Sequence, residues 1–408
     1  MKKNVIAMSM FALLAMLQPA ITLAAPITEE DVVREALTSS PSIGTIDAEA
    51  AAKLGEAVSL STLSNPEIEA EVAKTTHEVG ESGDNEYEIS LSQPLRISQF
   101  GTRQLVSKLM KTAATEQQKF SLLELTESIR LSYAELWALE EASQRTKAAT
   151  ERGERYAKQI RNGKERGLFA EGEVKLFEAE ALKRKAELLS IEASKGEALA
   201  RLVRLSGLNL TGRTLIKPAA TKLPSKDEIL VFTQKGELPI QSRQRLQAEL
   251  ASRQFALARK DSMPAFAPRI AYQHTDEGEG RIIAGFGMEL PFFDHNQGEI
   301  IQKQTDSQSE SLKSGYFRSE SFQAEVLAAA KKAELKGRES MLIENQLIPS
   351  LLAALSAFET QLKAGQGVLL QLWEAQRELA DAERESLAVW FESRKADSEL
   401  RVLLGGEI

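Results

Sequence analysis

The stretch NPEIEAEV at residues 65–72 alternates apolar and acidic side chains with a period of two. Residues 86–92, EYEISLS, alternate in the same way, and a polar, glycine-containing loop separates the two stretches. A period of two is typical of a β-strand with one apolar and one polar face. The sequence therefore predicts a β-hairpin with strands at about residues 66–75 and 85–95.

The same pattern recurs in the second half of the chain, where strands are predicted at about residues 266–275 and 281–291. Residues that end regular structure recur at a constant offset of 198 positions: Pro41 with Pro239, Pro66 with Pro264, Gly167 with Gly365, and Gly207 with Gly405. Backbone sterics place proline and glycine at the ends of elements, so this spacing predicts one structure built twice. We expect a first repeat at residues 25–210, a linker at 211–222 and a second repeat at 223–408.

Each half also contains a long arm rich in Ala, Glu, Lys, Leu and Gln, at residues 94–167 and 291–365. This composition predicts helix almost throughout both arms. Apolar residues recur every seven positions from Leu122 to Leu136, and by threes and fours from Ile348 to Leu362, which is typical of a coiled coil. Helical composition continues beyond each arm, so we expect each arm to fold back at a tip, near residues 163–172 and 364–370.

The N-terminal residues 1–24 have the layout of a secretory signal peptide. Lys2 and Lys3 precede an apolar run over residues 5–17, and the small residues Ala24 and Ala25 follow it. A membrane anchor is the alternative, but this apolar run is shorter than the ~20 residues that cross a bilayer. No later stretch is predicted to be a transmembrane helix.

Composition excludes several classes of protein. The chain has no cysteine, so disulfides and thiolate metal sites are excluded. The net charge of −8 argues against nucleic acid as a partner. The three histidines are scattered at His77, His274 and His295, and we interpret them as loop residues rather than metal ligands. No catalytic constellation or phosphate-binding loop stands out, so we expect neither an enzyme nor a cofactor or metal site.

Four short strands cannot close a membrane barrel within one chain. Each predicted strand has about the ~10 residues that cross an outer membrane, and the smallest single-chain barrels have 8 strands. An open sheet edge cannot face lipid, so closure requires several chains. The predicted fold class is mixed α and β, mainly α: an internally duplicated chain that gives four strands to an outer-membrane β-barrel and continues as long coiled-coil helices.

Short motifs at the strand-to-helix crossings carry a resemblance to a known family. They are NPEI at 65–68, SQPL at 92–95 followed by GTR at 101–103, and LPFF at 290–293 followed by NQGEI at 296–300. The crossing residues are Pro66, Pro94, Gly101, Pro291, Asn296 and Gly298. Over essentially all of the mature chain, the sequence resembles the TolC-type outer-membrane efflux protein family. Its second crossing is most similar to the cobalt-zinc-cadmium heavy-metal branch.

The resemblance implies a homotrimer with a twelve-stranded barrel in outer-membrane lipid and a helical tunnel in the periplasm. Such proteins are the passive exit ducts of tripartite pumps, and their partners are a periplasmic membrane-fusion adaptor and an inner-membrane RND-type transporter. The branch similarity favours divalent heavy-metal cations as substrate, with drugs or a secreted polypeptide as alternatives. A periplasmic coiled-coil scaffold or adaptor is an alternative of another class, disfavoured because both hairpin and arm are duplicated.

We expect the adaptor contact and the gate at the two tips. The candidate residues are Gly167, Leu168, Phe169, Gly365, Gln366, Gly367, Val368, Leu369 and Leu370. Their apolar side chains are expected to be exposed for docking, although packing between the two helices of an arm could bury about half of them.

Two acids at the first tip could form a cation-selective element. By three-fold symmetry, Glu171 or Glu173 would give a ring of three carboxylates. The alternative is that both are ordinary acids at a helix N-terminus, where the helix dipole favours negative charge. The family's second tip often carries an aspartate, but residues 365–372 of this chain contain no acid, which argues against an acidic gate ring there.

Overall fold

A computed structural model describes residues 26–74, 85–219, 224–236, 238–275 and 278–406. The predicted signal peptide, the loop around Gly80 with His77, and part of the predicted linker lie outside these residues. The described chain is mainly helical with one small antiparallel sheet, as predicted. Its helices are α1 (Glu29–Ser39), α2 (Pro41–Ser61), α3 (Thr102–Glu165), α4 (Glu171–Ser206), α5 (Lys226–Lys235), α6 (Pro239–Asp261), α7 (Gln297–Tyr316), α8 (Glu320–Leu342), α9 (Ile348–Lys363) and α10 (Leu369–Leu404).

The sheet contains β1 (Glu67–Lys74), β2 (Asn85–Ser92), β3 (Ala265–Thr275) and β4 (Gly280–Glu289) in the order β1-β2-β3-β4. Every neighbouring pair is antiparallel, and the central pair joins the two halves of the sequence, with Ile89 opposite Tyr272. Among the described residues, β1 and β4 each pair with one strand. The sheet therefore has two open edges within this chain.

Cross-strand register sorts the side chains onto two chemically different faces. Partners directly opposite each other share a face. One face carries charged and amide side chains: Glu67, Glu69, Glu71, Glu86, Glu88, Arg269, Gln273 and Arg281. The other face carries large apolar side chains, most of them exposed: Ile68, Val72, Tyr87, Ile89, Leu91, Phe266, Ile270, Tyr272, Ile282, Phe286 and Met288.

The 198-position offset also appears in the bounds of the helices. Helices α4 and α10 both have 36 residues, and α10 begins and ends 198 positions after α4. Pro41 and Pro239 are the first residues of α2 and α6, where a missing N–H costs no hydrogen bond. The glycines that end the arms, Gly167 and Gly365, have φ of 74° and 78°, a region that favours glycine.

Both arms are helical over most of their length, as their composition predicts, but the first is one continuous helix and the second is interrupted. Helix α3 runs for 64 residues. In the second arm, helix stops between α7 and α8, where Ser319 begins α8 by accepting a hydrogen bond from the N–H of Phe322 at 3.3 Å. A π-turn at Ile343–Leu347 then precedes Pro349. Proline lacks the N–H for the regular α-helical bond, and the wider turn accommodates that loss.

The described chain divides into two compact units. In the unit formed by residues 26–40, 128–219 and 344–391, the buried Tyr133 hydroxyl lies 2.7 Å from the carbonyl oxygens of Ile27 and Ile216. Ile27 also forms a parallel bridge with Leu215. These contacts anchor the beginning of the described chain beside residues 214–216.

The other unit contains the sheet and an apolar core of its own. Phe322 is fully buried in this core. The remaining buried members are Ile229, Leu238, Ile240, Val326, Leu400 and Leu404.

Contrary to expectation, one helical stretch in the described chain is long and apolar enough to cross a membrane by length and composition. It is Glu320–Lys363, which contains an 18-residue window with a mean hydropathy of 1.4, and 17% of that window is buried. Its exposed apolar residues include Met341 and Leu352. A stretch of this kind is also compatible with helix packing in an assembly, so it does not by itself indicate a membrane span.

Candidate functional site

The first tip is a tight turn between α3 and α4 that exposes one leucine. Leu168, which follows Gly167, is 67% exposed. Phe169 is half-buried, and its ring lies against Gly163, where an added Cβ would come within 2.4 Å of the ring. A side chain at position 163 would therefore displace this ring, and Phe169 contributes mainly to packing inside the tip.

The second tip shows that the expected exposure of Leu369 is wrong. Leu369 is 6% exposed and Leu370 is 56% exposed, while Val368 is half-buried. Leu369 is the first residue of α10, and it lies on the same buried face of the helix as Leu372, three residues later. Leu369 therefore contributes to packing inside the tip. Gln366 and Gly367 are exposed. Each tip therefore presents one strongly exposed leucine, Leu168 or Leu370.

Both acids of the predicted cation ring have partners within the chain. Glu171 pairs with Lys164. Glu173 accepts a hydrogen bond from the N–H of Ala170 at 2.8 Å, which satisfies a backbone donor at the start of α4. These contacts are those expected of acids at a helix N-terminus. The three-fold ring stays a prediction.

A buried arginine that sequence reasoning missed links α4 with α10. The side chain of Arg184 is 2% exposed, and its guanidinium contacts Glu180 at 2.6 Å and Glu187 and Asp381 at 2.9 Å. Burial raises the pKa of Asp381, but the hydrogen bond and charge of Arg184 outweigh it and leave that pKa below its ordinary value. Glutamate and arginine at this spacing are typical of a solvated helix face, so the burial of Arg184 could not be predicted from the pattern.

The residues of the crossing motifs lie next to the ends of strands and the starts of helices. Pro66 precedes β1, and Pro94 and Pro291 follow β2 and β4. Gly101 has φ of 76°. Asn296 has φ of 57° and is the non-glycine residue with positive φ in the described chain.

The second crossing is held by the side chain of Asn296. Its amide donates to the carboxylate of Glu299 at 2.9 Å and to the carbonyl oxygen of Ala258 at 3.3 Å. Asparagine tolerates the left-handed conformation that this turn requires. Gly298, by contrast, has open space where a side chain would lie, so this chain shows no steric need for glycine there.

The polar face of the sheet is predominantly acidic. Arg269 contacts Glu88 at 2.5 Å, and Gln273 donates to Glu86 at 2.9 Å. The three glutamates of β1 alternate along that strand with apolar residues. The alternation was visible in sequence, but the register was needed to show that the acids of β1 and β2 share one face with Arg269.

Among the described side chains, no group of three or more His, Asp or Glu residues has the arrangement to hold a metal ion. His274 and His295 are exposed, but the interpretation of His274 as a loop residue is wrong, because it lies in β3 opposite Gly280.

Comparisons with known proteins identify the fold. No family model matches the chain, and no curated protein sequence matches it. The outer-membrane channel OprN matches with a TM-score of 0.76 at 15% identity over 93% of this chain and 90% of that chain. The outer membrane protein VceC of Vibrio cholerae gives 0.72 at 18% identity over 93% and 96%. The CmeC outer membrane channel of Campylobacter jejuni gives 0.75 at 15% identity over 93% and 85%. The chain therefore has the fold of these outer-membrane channel proteins.

Proposed function

We propose that this protein is the outer-membrane exit duct of a tripartite efflux pump, without catalytic activity of its own. The observation that carries the proposal is the four-stranded sheet, which has one acidic face, one exposed apolar face and two open edges, in a chain with the fold of outer-membrane channels.

The open edges support a trimeric barrel. Unpaired backbone groups at the edges of β1 and β4 cannot face lipid, so neighbouring copies would have to cover them. Three copies would supply twelve strands, which is within the range of known outer-membrane barrels. The protein would then lie in the outer membrane, with its helices forming a tunnel in the periplasm.

The two faces of the sheet match the two environments of such a barrel. Apolar side chains such as Ile270 and Phe286 would face lipid, while Glu69, Glu88 and Arg281 would line the lumen. Outer-membrane strands alternate in this way between an apolar outside and a polar inside. The acidic lumen would raise the local concentration of cations.

The matching element bounds support the proposal of an internal duplication. Helices α4 and α10 have the same length, and their bounds are offset by 198 positions. Pro41 and Pro239 begin α2 and α6 at the same offset, which favours two repeats separated by residues 211–222.

For the substrate, we propose divalent heavy-metal cations. The support is the similarity of residues 290–300 to the heavy-metal branch and the acidic face of the sheet. Deleting the gene should lower resistance to zinc, cobalt or cadmium salts and leave resistance to organic drugs unchanged. The opposite pattern would reject the metal substrate and keep the duct.

The lumen assignment can be tested by electrical recording. The purified protein in a planar bilayer should form cation-selective pores. Replacing Glu67, Glu69 and Glu71 together by Gln should lower the cation preference, while Glu49→Gln in α2, outside the sheet, should leave it unchanged. Absence of any conductance from a correctly folded trimer held in the open state would count against the duct.

The partners we propose are a periplasmic adaptor, docking at the exposed leucines of the tips, and an inner-membrane transporter. Leu168→Asp together with Leu370→Asp should abolish efflux and leave trimer stability nearly unchanged. Leu182→Asp is the matched control, because Leu182 is equally exposed but lies along α4 away from the tip. Equal loss of efflux in the control, or failure of the double variant to assemble, would contradict docking at the tips.

A further inference from the structure

The break between α7 and α8 lies beside a polar cleft. Gln241 in α6 is 5% exposed, and its side-chain amide donates to the carbonyl oxygen of Phe317 at the break, at 2.7 Å. The same amide donates to the carbonyl oxygen of Thr233, near the end of α5, at 3.2 Å. These two bonds hold the break, α5 and α6 together around a cleft of about 360 Å³.

Three positively charged side chains line this cleft: Lys235 from α5, Arg245 from α6 and Arg318 from the break. The described residues that line it include no acid. Across the described chain, none of these three cations has an ion pair, a side-chain hydrogen bond or an aromatic ring as partner. Glu237, which follows Gly236 in the sequence, lies outside the described residues, and one carboxylate would balance only one of the three charges.

Hydrogen bonds fix the backbone on two sides of the cleft. The N–H of Arg318 donates to the carbonyl oxygen of Gly315 at 3.2 Å. The N–H of Gly236, which follows Lys235, donates to the carbonyl oxygen of Thr233 at 3.3 Å. Gly236 has φ of 67°, the left-handed conformation that ends α5. The backbone positions from which Lys235 and Arg318 extend are therefore set before any ligand binds.

The first half of the chain has neither the break nor these charges. Leu37, Asp47 and Phe120 occupy the positions 198 residues before the three cations, and none of them is basic. Phe120 lies inside the continuous helix α3, and Asp47 accepts a hydrogen bond from Gln118 at 2.7 Å. The unpaired cations therefore accompany the break in the second arm and are not a general property of the repeat.

We propose that this cleft binds a phosphate dianion, either inorganic phosphate or a phosphomonoester. Like charges in one cleft repel one another, and an anion between them removes that repulsion. A phosphate carries about −1.5 to −2 charge near pH 7, which suits three cations better than the single charge of a carboxylate. Its acceptor oxygens match the paired N–H groups of Arg245 and Arg318, and Gln323 adds a neutral amide to the lining.

The size and the position of the cleft limit its ligand. Ligand pockets range from ~300 to ~1,000 Å³, so a cleft of about 360 Å³ suits a small molecule. The described lining residues all belong to one compact unit of one chain, so the site needs neither a second copy nor a membrane. This inference therefore stands independently of the proposed duct.

Isothermal titration calorimetry of the full mature protein in an uncharged detergent tests the proposal. Inorganic phosphate and glycerol 3-phosphate are titrated separately at neutral pH and constant ionic strength. We expect saturable binding at one site per chain for at least one of them. Arg245→Gln with Arg318→Gln should weaken that binding at least about tenfold, because each change removes a charge-assisted hydrogen bond to the phosphate. Absence of saturable binding, or unchanged binding in this variant, overturns the site.

The matched control is Arg253→Gln with Arg259→Gln, which removes two exposed charges from α6 outside the cleft. The control should bind phosphate as the unaltered chain does, whereas equal weakening would mean that phosphate responds only to net charge, which also overturns the site. A second measurement covers a loss of stability in the cleft variant. Phosphate should raise the thermal unfolding midpoint of the unaltered chain and of the control, but not that of the cleft variant. An equal rise in all three contradicts the proposal.

Two further ligands test the chemistry of the cleft. Dimethyl phosphate carries the single charge of a phospholipid phosphodiester, and acetate carries that of a carboxylate. Both should bind at least about tenfold more weakly than the phosphate dianion. Equal binding of dimethyl phosphate would assign the cleft to a lipid headgroup, and equal binding of acetate would assign it to an acidic peptide. Either result overturns the phosphate site.

Discussion

The first arm of the chain is one helix of 64 residues, whereas the second arm covers a similar length as three helices. Their ends correspond: Glu165 ends α3 and Lys363 ends α9, 198 positions apart. Their interiors differ at particular residues. Where the second arm has Pro349, the first has Glu151, and where the second has Phe317, the first has Lys119.

The difference shows that the ends of the arms are more constrained than their interiors. The turn glycines require a positive φ, which few residues other than glycine adopt readily. Inside an arm, a break persists only where other groups satisfy the freed backbone. At the break in the second arm, Gln241 donates to the carbonyl oxygen of Phe317 at 2.7 Å, and Phe317 packs its ring 5.0 Å from that of Phe322.

Helices α4 and α10, which return from the two tips, have equal length. The largest expected effect on stability comes from Arg184, the buried arginine of α4. Arg184→Ala would leave Glu180 buried without its partner, and loss of one member of a buried ion pair costs about 3–5 kcal/mol. The thermal unfolding midpoint, followed by circular dichroism, should fall clearly. Arg201→Ala, also in α4, removes a partly exposed pair with Glu135 of α3 and should cost less than about 1 kcal/mol. Equal shifts for both variants would show that Arg184 is not the buried link between α4 and α10.

Introducing proline into the continuous arm should have the next largest effect. Glu151→Pro removes a helical hydrogen bond from α3 and should cost about 3 kcal/mol or more. Pro349→Ala, at the corresponding position of the second arm, should change stability by less than about 1 kcal/mol, because the π-turn already accommodates the proline. Glu151→Ala controls for loss of the exposed carboxylate. If both proline changes have similar effects, the two arms do not differ in continuity at this position.

The start of α8 gives a smaller effect in one arm only. Ser319→Ala removes the hydrogen bond to the N–H of Phe322 and should cost about 1 kcal/mol. Ser121→Ala, 198 positions earlier in the interior of α3, removes no cap and should be close to neutral. Thermal unfolding of the two single variants provides the comparison. Equal destabilisation would argue that α3 also breaks near residue 121.

The smallest effect is a pH dependence at the π-turn. The hydrogen bond and charge of Arg145 lower the pKa of Glu344, although burial opposes the shift. A lowered pKa contributes stability that is present above the unfolded value of about 4.5 and is lost as the pH falls through the lower, folded value. Because the carboxylate is partly exposed, the loss should be less than about 1 kcal/mol. Unfolding midpoints measured from pH 6 downward should show a smaller acid dependence in Glu344→Gln. An unchanged dependence would mean that Glu344 does not contribute.

Several features of the fold could be predicted because local chemistry determines them. Alternation at residues 65–72 indicated a two-faced strand, and glycine at 167 and 365 indicated the turns. The break in the second arm was not predicted because a serine such as Ser319 also occurs inside helices. Pro349 could have ended a helix or been accommodated by a wider turn, and the surrounding packing determines which occurs.

The candidate site was predicted less completely for a similar reason. The position of the tips followed from the glycines, but the burial of Leu369 depends on which side of α10 meets its neighbours. The charges around Arg184 have the spacing of a solvated face. The acids of β1 and β2 share a face with Arg269 only through the strand register, which a single strand pattern does not specify.

The proposal that three copies share one barrel is tested most directly by native mass spectrometry of the mature protein released from detergent. We predict a complex of three chains that remains intact on release and requires detergent or lipid to stay in solution. A monomer that remains folded and soluble after the detergent is removed would contradict the shared barrel.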